Sequence, residues 1–554
     1  MKKMPLIWLT KKMKRRIPAL AALTAAQVGH ALFSVVFALG MRGVIDGAVS
    51  GDGETFRAAC LCQAGIIAGI LLCLTVSRHL KERLGAELER DWKRDLLHSL
   101  LRGDYAAVSG YHSGELLNRL NNDVAKVNDG VLTIVPGFAA MATRLVAAVV
   151  ILGTLDGRFT LVIAGLGALV IAATTLLRRR LKELNKRVSE QDGKVSGFLQ
   201  ETMEKLLMVQ AMDVADEVER RADGLLNVRY ATQRKRKNVS LAANTGVSLI
   251  SYGAAFLALV WCGYRMLRGE MTFGSLMAVI QLVNQLQVPF VNLSGVLPKY
   301  VAMTASAERL MELDSIRGTP TPRGEEPENL YNKMESIRAE GLTFSYDREQ
   351  VLQNANFELP KGAFAVISGP SGIGKSTLLK LLLGVFHQES GNLYLHCGED
   401  DVVLDRSTRW LFAYVPQGNL LFSGTLRENL MIVKPEATEE EIEHAVYVSA
   451  MDEFLPQLPQ GLDTLLGENG AGLSEGQGQR LAIARAILGG APVLLLDECT
   501  SALDAETEQK VLGRIKELEN RTCIAVTHRP AALALSDWQL EVQEGTVSTM
   551  GQPK

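Results

Sequence analysis

The sequence predicts a membrane α-helical bundle, six transmembrane helices with long cytoplasmic extensions, joined to a soluble α/β phosphate-loop domain. Three observations predict it. Six runs nearly free of charge fill the N-terminal half, each long enough for the roughly 20 helical residues a bilayer requires. A glycine-rich loop, GPSGIGKST (369–377), stands between an apolar β-rich run and a helical one. Further on, LSEGQGQR (473–480) offers a second helix start, where unpaired N–H groups and the helix dipole favour an anion.

The 554 residues exceed one domain. The expected division is a transmembrane domain over 1–312, a linker over 313–334 and a nucleotide-binding domain over 335–554. A formal net charge of −2 gives no footprint for nucleic acid. Seven cysteines (Cys60, Cys62, Cys73, Cys262, Cys397, Cys499, Cys523) are odd in number and lack two pairs at metal-ligand spacing, so they read as reduced and structural.

The six runs lie at about 17–41, 58–77, 130–155, 159–177, 239–264 and 271–298. The first exceeds the apolar core of a signal peptide and is expected to be retained. KKMKRR (11–16), RRRLKELNKR (178–187) and RKRK (234–237) fall on one side, so the positive-inside rule puts the N-terminus in the cytoplasm of a cytoplasmic-membrane protein. Six crossings return the chain there, with the nucleotide domain. Loops on the outer side are short. Those at 78–129 and 178–238 are long, with leucines at helical spacing and charges at i, i+4, and are expected to extend the helices into stalks. The linker is rich in Pro, Gly and charge.

Gly369, Pro370, Ser371, Gly372, Ile373, Gly374, Lys375, Ser376 and Thr377 form a phosphate loop in its proper strand–loop–helix context. Its glycines let backbone N–H groups turn toward phosphates. Lys375 is suited to β/γ-phosphate oxygens and Ser376 to Mg²⁺. APVLLLDECTSALD (491–504) reads as a buried parallel strand ending in Asp497 and Glu498. Asp497 is placed to support the metal, and Glu498 to polarise an attacking water.

With YVPQ (414–417), SALD and VTHR (526–529), these motifs stand in the order of an ATP-binding cassette. The chain resembles a half-transporter of the ABC exporter type, six spans fused to one cassette, over nearly its whole length. YHSGELLNRLNNDV (111–124) looks like that family's first cytoplasmic loop, and FSGTLRENL (422–430) like the segment after its Q-loop. The resemblance implies that Gln417 ligates Mg²⁺ or water, that His528 contacts the γ-phosphate, and that Tyr346 stacks on adenine. It implies that Asp504 lies where two cassettes meet. It also implies that Ser474, with the N–H groups of Gly476 and Gln477, caps the γ-phosphate of ATP held by another chain, so that two half-transporters must pair. One departure stands out: Glu475 occupies the first glycine position of the usual L-S-G-G-Q, and exposure at the helix start would make it tolerable. Glu498, His528 and the phosphate loop are intact, which favours a homodimer over a pair with a different half-transporter.

The implied function is ATP-driven export by alternating access across the cytoplasmic membrane, with loops near 105–115 and 198–212 transmitting cassette closure to the spans. Gln281, Asn284, Gln285 and Asn292 share one face of the sixth span. Amides facing lipid are costly, so that face is expected to line a cargo path or pack on another span. Gln27, His30, Arg144 and Asn244 are further polar groups inside the runs. The cargo class is open among amphipathic small molecules, lipids and peptides; with no protease domain ahead of the first span, leader-cleaving peptide export is not expected. An ATP-gated channel or regulatory subunit is the main alternative. Bilayer spans oppose a nucleic-acid ATPase, and fusion in one chain opposes an importer.

Overall fold

The computed structural model describes residues 4–316, 326–346, 349–398, 400–418, 421–467 and 470–550; side chains at 168–179, 182, 247, 287–295, 297 and 550 lie outside the description. The chain divides into two compact units, one of Met1–Leu101 with Tyr111–Ile316, the other of Arg102–Gly110 with Arg317–Lys554.

The first unit is helical. It begins with α1 (Met4–Met13), α2 (Ile17–Ser50) and α3 (Gly53–Arg102). The intervening α4 (Tyr105–Ser109) belongs to the second unit. There follow α5 (Ser113–Asn118), a π-helical turn at Arg119–Asp123, α6 (Val124–Leu155) and α7 (Gly157–Glu204). Then come α8 (Leu206–Ala211), α9 (Ala215–Leu267) and α10 (Phe273–Ser315). Their ends follow from local chemistry. Gly51 ends α2 in the left-handed region at φ +72°, open to glycine without steric cost. Asp156 starts α7 by accepting from the N–H groups of Arg158 and Phe159, both at 3.0 Å.

Four stretches among the described residues are long and apolar enough to cross a membrane: Met4–Ser50, Gly53–Arg102, Ser113–Leu155 and Ala215–Leu267. The expected spans at 159–177 and 271–298 fall partly on undescribed side chains. Their described apolar portions, Gly157–Gly167 and Phe273–Leu286, are short, while their helices continue to Glu204 and Ser315.

Two apolar clusters hold this unit together. One joins Leu23, Leu84, Trp92, Leu132 and Met303; the other joins Val35, Ala148, Phe159, Ala258 and Leu286. Beyond the first cluster, Asp123 is fully buried and accepts from Ser306 Oγ (2.9 Å) and Arg309 Nε (2.7 Å). Arg119 bridges Glu115 and Glu312 at 2.7 and 2.8 Å, so the π-turn is pinned to the end of α10 by charge.

Of the segment read as linker, Leu313 is buried in the first unit, where Asp314 accepts from Trp8 Nε1 at 2.9 Å. Residues 326–334 hold α11 (Pro327–Lys333), which buries Leu330 and Tyr331 in the second unit's core, with Met334 beside them. Three apolar side chains within a polar stretch thus suffice to anchor it.

In the second unit come β1 (Ser336–Tyr346), β2 (Glu349–Pro360), β3 (Phe364–Ser368), α12 (Lys375–Leu382), β4 (Ser390–Cys397), β5 (Asp400–Val403) and β6 (Phe412–Val415). Next are β7 (Gly424–Thr425), α13 (Leu426–Met431), α14 (Glu439–Val448), β8 (Leu465–Leu466), α15 (Glu475–Leu488) and β9 (Val493–Asp497). The unit closes with α16 (Ala505–Lys516), β10 (Thr522–Val526), α17 (Pro530–Leu535), β11 (Trp538–Gln543) and β12 (Thr546–Met550). Among the described residues one sheet has the order β2-β1-β4-β5 and is antiparallel; the other has the order β12-β11-β3-β10-β9-β6. In the latter, β6, β9, β10, β3 and β11 run parallel, so the C-terminal ends of β3, β9 and β6 share one edge. β9 and β10 are buried throughout, which explains their unbroken apolar sequence.

Candidate nucleotide site

Backbone geometry explains the loop after β3. Gly369, Gly372 and Gly374 have φ of +142°, +80° and +109°, the region only glycine enters cheaply. Steric room adds a second reason at two of them. A Cβ on Gly369 would sit 2.4 Å from the Val542 carbonyl oxygen, and one on Gly374 would sit 2.5 Å from Val351 Cγ1. Lys375 opens α12 and is buried, its ammonium donating to the carbonyls of Gly369 (2.7 Å) and Pro370 (2.8 Å). Burial pushes this ammonium below the ordinary lysine range, and the nearby Glu498 and Asp497 pull the other way.

At the edge where β9 ends, Asp497 is held from two sides. Ser376 Oγ donates to its Oδ1 at 2.8 Å, and the Tyr414 hydroxyl donates to its Oδ2 at 3.0 Å. Burial, then the Asp497 charge, drives the Tyr414 phenol far above its ordinary range, so it remains a donor. Glu498 follows at φ +48°, a left-handed backbone that is costly for a residue with a Cβ. Its N–H bonds Val526 O at 3.0 Å, and Gln417 Nε2 donates to its Oε2 at 2.8 Å. The structure therefore joins Lys375, Ser376, Asp497, Glu498 and Gln417 in one place.

Tyr346 is partly exposed, with its hydroxyl 3.3 Å from Thr377 Oγ1. Its ring meets Phe344 and Phe386 edge-on at 4.9 and 5.3 Å, and Tyr105 of α4 packs edge-on against Phe386 at 5.8 Å. Pro370, Ser371 and Gly372 are exposed at the loop tip, and Ile373 packs partly against the core.

Ser474 caps α15 in a reciprocal box. Its Oγ accepts from Gln477 N (3.2 Å), while Gln477 Oε1 accepts from Ser474 N (2.9 Å). The Gln477 N–H, expected to face a phosphate, is thus committed to the cap, and the donors left over are the Ser474 hydroxyl proton and the Gly476 N–H. A Cβ on Gly476 would lie 2.9 Å from Ala502 O, whereas Glu475 is exposed. That difference explains why a side chain is admitted at 475 and not at 476. Asp504 caps α16 through Thr507 N (2.9 Å) and Oγ1 (2.8 Å), and His528 is exposed on the loop after β10. Among the described residues no hydrogen bond or ion pair links Ser474, Gly476, Gln477, Asp504 or His528 to the phosphate loop.

The family model of the ABC transporter transmembrane region matches residues 19–290, and the family model described as ABC transporter matches 352–501. The chain belongs to the ABC transporters. It is 28% identical over 472 residues to an ATP-dependent lipid A-core flippase of Desulfotalea psychrophila, covering 85% of this chain and 82% of that one. It is 32% identical over 387 residues to the cyclolysin secretion/processing ATP-binding protein CyaB of Bordetella pertussis, covering 69% of this chain and 53% of that longer protein. Its fold matches a bacterial Atm1-family ABC exporter solved with ATP bound, at TM-score 0.80 and 24% identity, over 97% and 94% of the two chains. This transporter is of the exporter type, a multi-pass membrane protein that binds and hydrolyses ATP and works as a pair.

The donor set at Asp497 suits Mg²⁺. A hydroxyl and a carboxylate are hard oxygen ligands, and magnesium needs only one or two from protein when phosphates supply others. Two residues of the transporter's site carry no signal in the sequence. Tyr414 lies within YVPQ but reads as an ordinary strand aromatic. Gln479 is buried and clamps the loop after β9, donating to Ser501 Oγ and accepting from Ala502 N, both at 3.0 Å; it reads only as one more polar residue of GQGQ.

Proposed function

We propose that this chain is one half of a homodimeric exporter in the cytoplasmic membrane, with both cassettes in the cytoplasm, moving an amphipathic small molecule, lipid or peptide outward. The observation that carries the proposal is the Ser376–Asp497 and Gln417–Glu498 pairing, on a polypeptide whose N-terminal helices are long and apolar enough to cross a bilayer.

In this reading Lys375 meets the β/γ-phosphate oxygens and Tyr346 offers its ring to adenine. Ser376, Asp497 and Gln417 hold Mg²⁺, which when bound offsets phosphate charge. Glu498, oriented by Gln417, takes the proton of the water that attacks the γ-phosphorus, and His528 donates to the phosphate oxygens. Ser474 and Gly476 of the second chain close over the same phosphate, with Asp504 at the seam. ATP can shift a closed–open equilibrium only through higher affinity for one state, and contacts from two chains supply that difference.

Gln281, Asn284 and Gln285 are the membrane residues assigned to cargo. On α10, Leu282, Val283 and Leu286 are buried, while Gln281 and Gln285 are half-buried and Asn284 is exposed. Asn284 is therefore turned away from this chain's own packing, toward a partner or a path, while Gln285 donates to the Ser34 carbonyl of α2 at 3.4 Å. The Asn292 side chain lies outside the described residues.

Reconstituted vesicles test the function. ATP-dependent movement of a fluorescent amphiphile, at a few molecules or fewer per ATP and lost in Glu498→Gln, is expected. Flux far exceeding ATP consumption, or flux that survives Glu498→Gln, favours a channel and overturns export.

A further inference from the structure

Glu508, on the first turn of α16, keeps a carboxylate buried, with 3% of its side chain exposed. A buried charge persists only where it is paired and hydrogen-bonded. Here both oxygens are engaged: Oε1 accepts from Thr500 Oγ1 at 2.7 Å and Oε2 from Arg529 Nη1 at 3.2 Å. Arg529 follows His528 directly and precedes Pro530, the first residue of α17, which confines its backbone to the extended region, φ −81° and ψ 136°. Its guanidinium does more than neutralise Glu508. Nη1 also donates to the Leu503 carbonyl at 2.7 Å, and Nη2 to the Ser501 carbonyl at 2.5 Å.

Those carbonyls lie on the loop after β9, which begins at Glu498. β9 and β10 are neighbouring parallel strands with Asp497 opposite Val526, so the loops carrying Glu498 and His528 leave one edge side by side. At their root Glu498 N donates to Val526 O at 3.0 Å, and further out Arg529 joins them. From the other side Gln479 of α15 donates to Ser501 Oγ and accepts from Ala502 N. Within the loop, Ser501 N donates to Glu498 O at 3.2 Å and Leu503 N to Thr500 O at 3.1 Å. The N–H groups of Ser501, Ala502 and Leu503 and the carbonyls of Ser501 and Leu503 are thus paired within the protein, although Ser501 and Ala502 are exposed. Water can satisfy an exposed carbonyl. What a guanidinium adds is position, because its planar fork holds several acceptors in fixed directions, here from the residue after His528.

We propose that Arg529, oriented by Glu508, is a positioning residue for ATP hydrolysis. It fixes the loop that follows Glu498 to the loop that carries His528, and so sets the separation between the carboxylate that activates water and the imidazole that meets the γ-phosphate. The inference rests on the roles proposed for those two residues and deepens them. Arg529 acts through them and not on ATP, so its loss slows turnover and leaves nucleotide binding intact. A reacting group displaced by about 1 Å can cost about 100-fold in rate. A lysine keeps the charge but lacks the planar fork that spans two carbonyls.

The test is steady-state ATPase of full-length protein in phosphatidylcholine vesicles, with ATP affinity measured separately in EDTA. Arg529→Met is expected to lower kcat at least about tenfold, with KM and ATP affinity within about twofold of wild type. Arg529→Lys should recover part of kcat. Glu508→Gln keeps the bond to Thr500 and removes the charge that orients Arg529, so it should lower kcat by less than Arg529→Met. The double variant should be no slower than Arg529→Met, because the two residues act as a unit. If Arg529→Met does not fold, Arg529→Lys and Glu508→Gln decide by the same separation of kcat from KM. Wild-type kcat in Arg529→Met, or in those two where it does not fold, overturns the inference. So does a fall in kcat matched by an equal loss of ATP affinity, which marks a general loss of the fold. Turnover that persists in Glu498→Gln removes the roles on which the inference rests; an inactive Glu498→Gln beside a fully active Arg529→Met removes this inference alone.

Discussion

Asp497 has both oxygens engaged, one by Ser376 and one by Tyr414, and so its orientation is fixed before any metal arrives. A hydrogen bond to a charged group contributes about 1.5–3 kcal/mol. Tyr414→Phe removes that bond and keeps the ring. The Mg²⁺ concentration for half-maximal ATPase is expected to rise about tenfold, an effect of the size that bond energy implies, with ATP affinity in EDTA unchanged. An unchanged Mg²⁺ requirement would remove Tyr414 from the site. Sequence made Ser376, Asp497 and Glu498 readable because phosphate and metal chemistry restricts which residue types work at those positions. Tyr414 and Gln479 were not readable, since each acts through another residue and many residue types fit a strand or a helix there. Glu498 also hides its left-handed backbone, which no spacing rule marks.

At the scale of elements, α15 shows how much a helix start can be made to do. Ser474 is its cap and, in the proposed function, also the donor that faces a phosphate. Ser474→Ala should cost about 0.5–2 kcal/mol of helix stability, whereas Ser474→Asp keeps a cap and adds repulsion. Both should lose ATPase. Normal melting in Ser474→Asp alone would separate the two roles, and retained ATPase in Ser474→Asp would refute the phosphate contact. Gly476→Ala should likewise fail, because its Cβ has no room beside Ala502. The helix start was legible from S-x-x-Q; the commitment of the Gln477 N–H to the cap was not, since capping and phosphate binding draw on the same groups.

The π-turn and α10 make a second case. Burial alone would raise the Asp123 carboxyl, but hydrogen bonds from Arg309 and Ser306 outweigh it and hold the group below the ordinary range. A carboxyl depressed in the folded state contributes stability that is fully present above its unfolded pKa, about 3.9, and lost as pH falls through the lower folded value. Melting of the helical unit should therefore be steady above about pH 4 and drop below it. Arg309→Met removes the main charge partner of buried Asp123 and leaves it Ser306 and the more distant Lys126 (3.9 Å); the cost is expected to lie below the figure of about 3–5 kcal/mol for a fully broken buried pair, also because Arg309 is 43% exposed. Its melting temperature should fall at neutral pH and recover in part in acid. An acid-independent loss would mean that packing, not charge, holds the turn.

For the whole molecule, apolar runs and basic flanks made the membrane region readable, because lipid punishes charge wherever it lies. Which apolar faces of α2, α6 and α10 meet in each cluster was not readable, since that depends on how the three helices pack. Pairing of chains is the claim on which the rest depends, and complementation tests it most directly. Lys375→Ala spoils the phosphate loop and Ser474→Arg spoils the opposing helix start, so each homodimer has a defect in both sites. A dimer of one variant with the other gathers both defects in one site and leaves the second intact. Co-purified mixed dimers should hydrolyse ATP well above either variant alone. If mixing yields no more than the mean of the two, the loop and the helix act on ATP within one chain, contrary to the shared site.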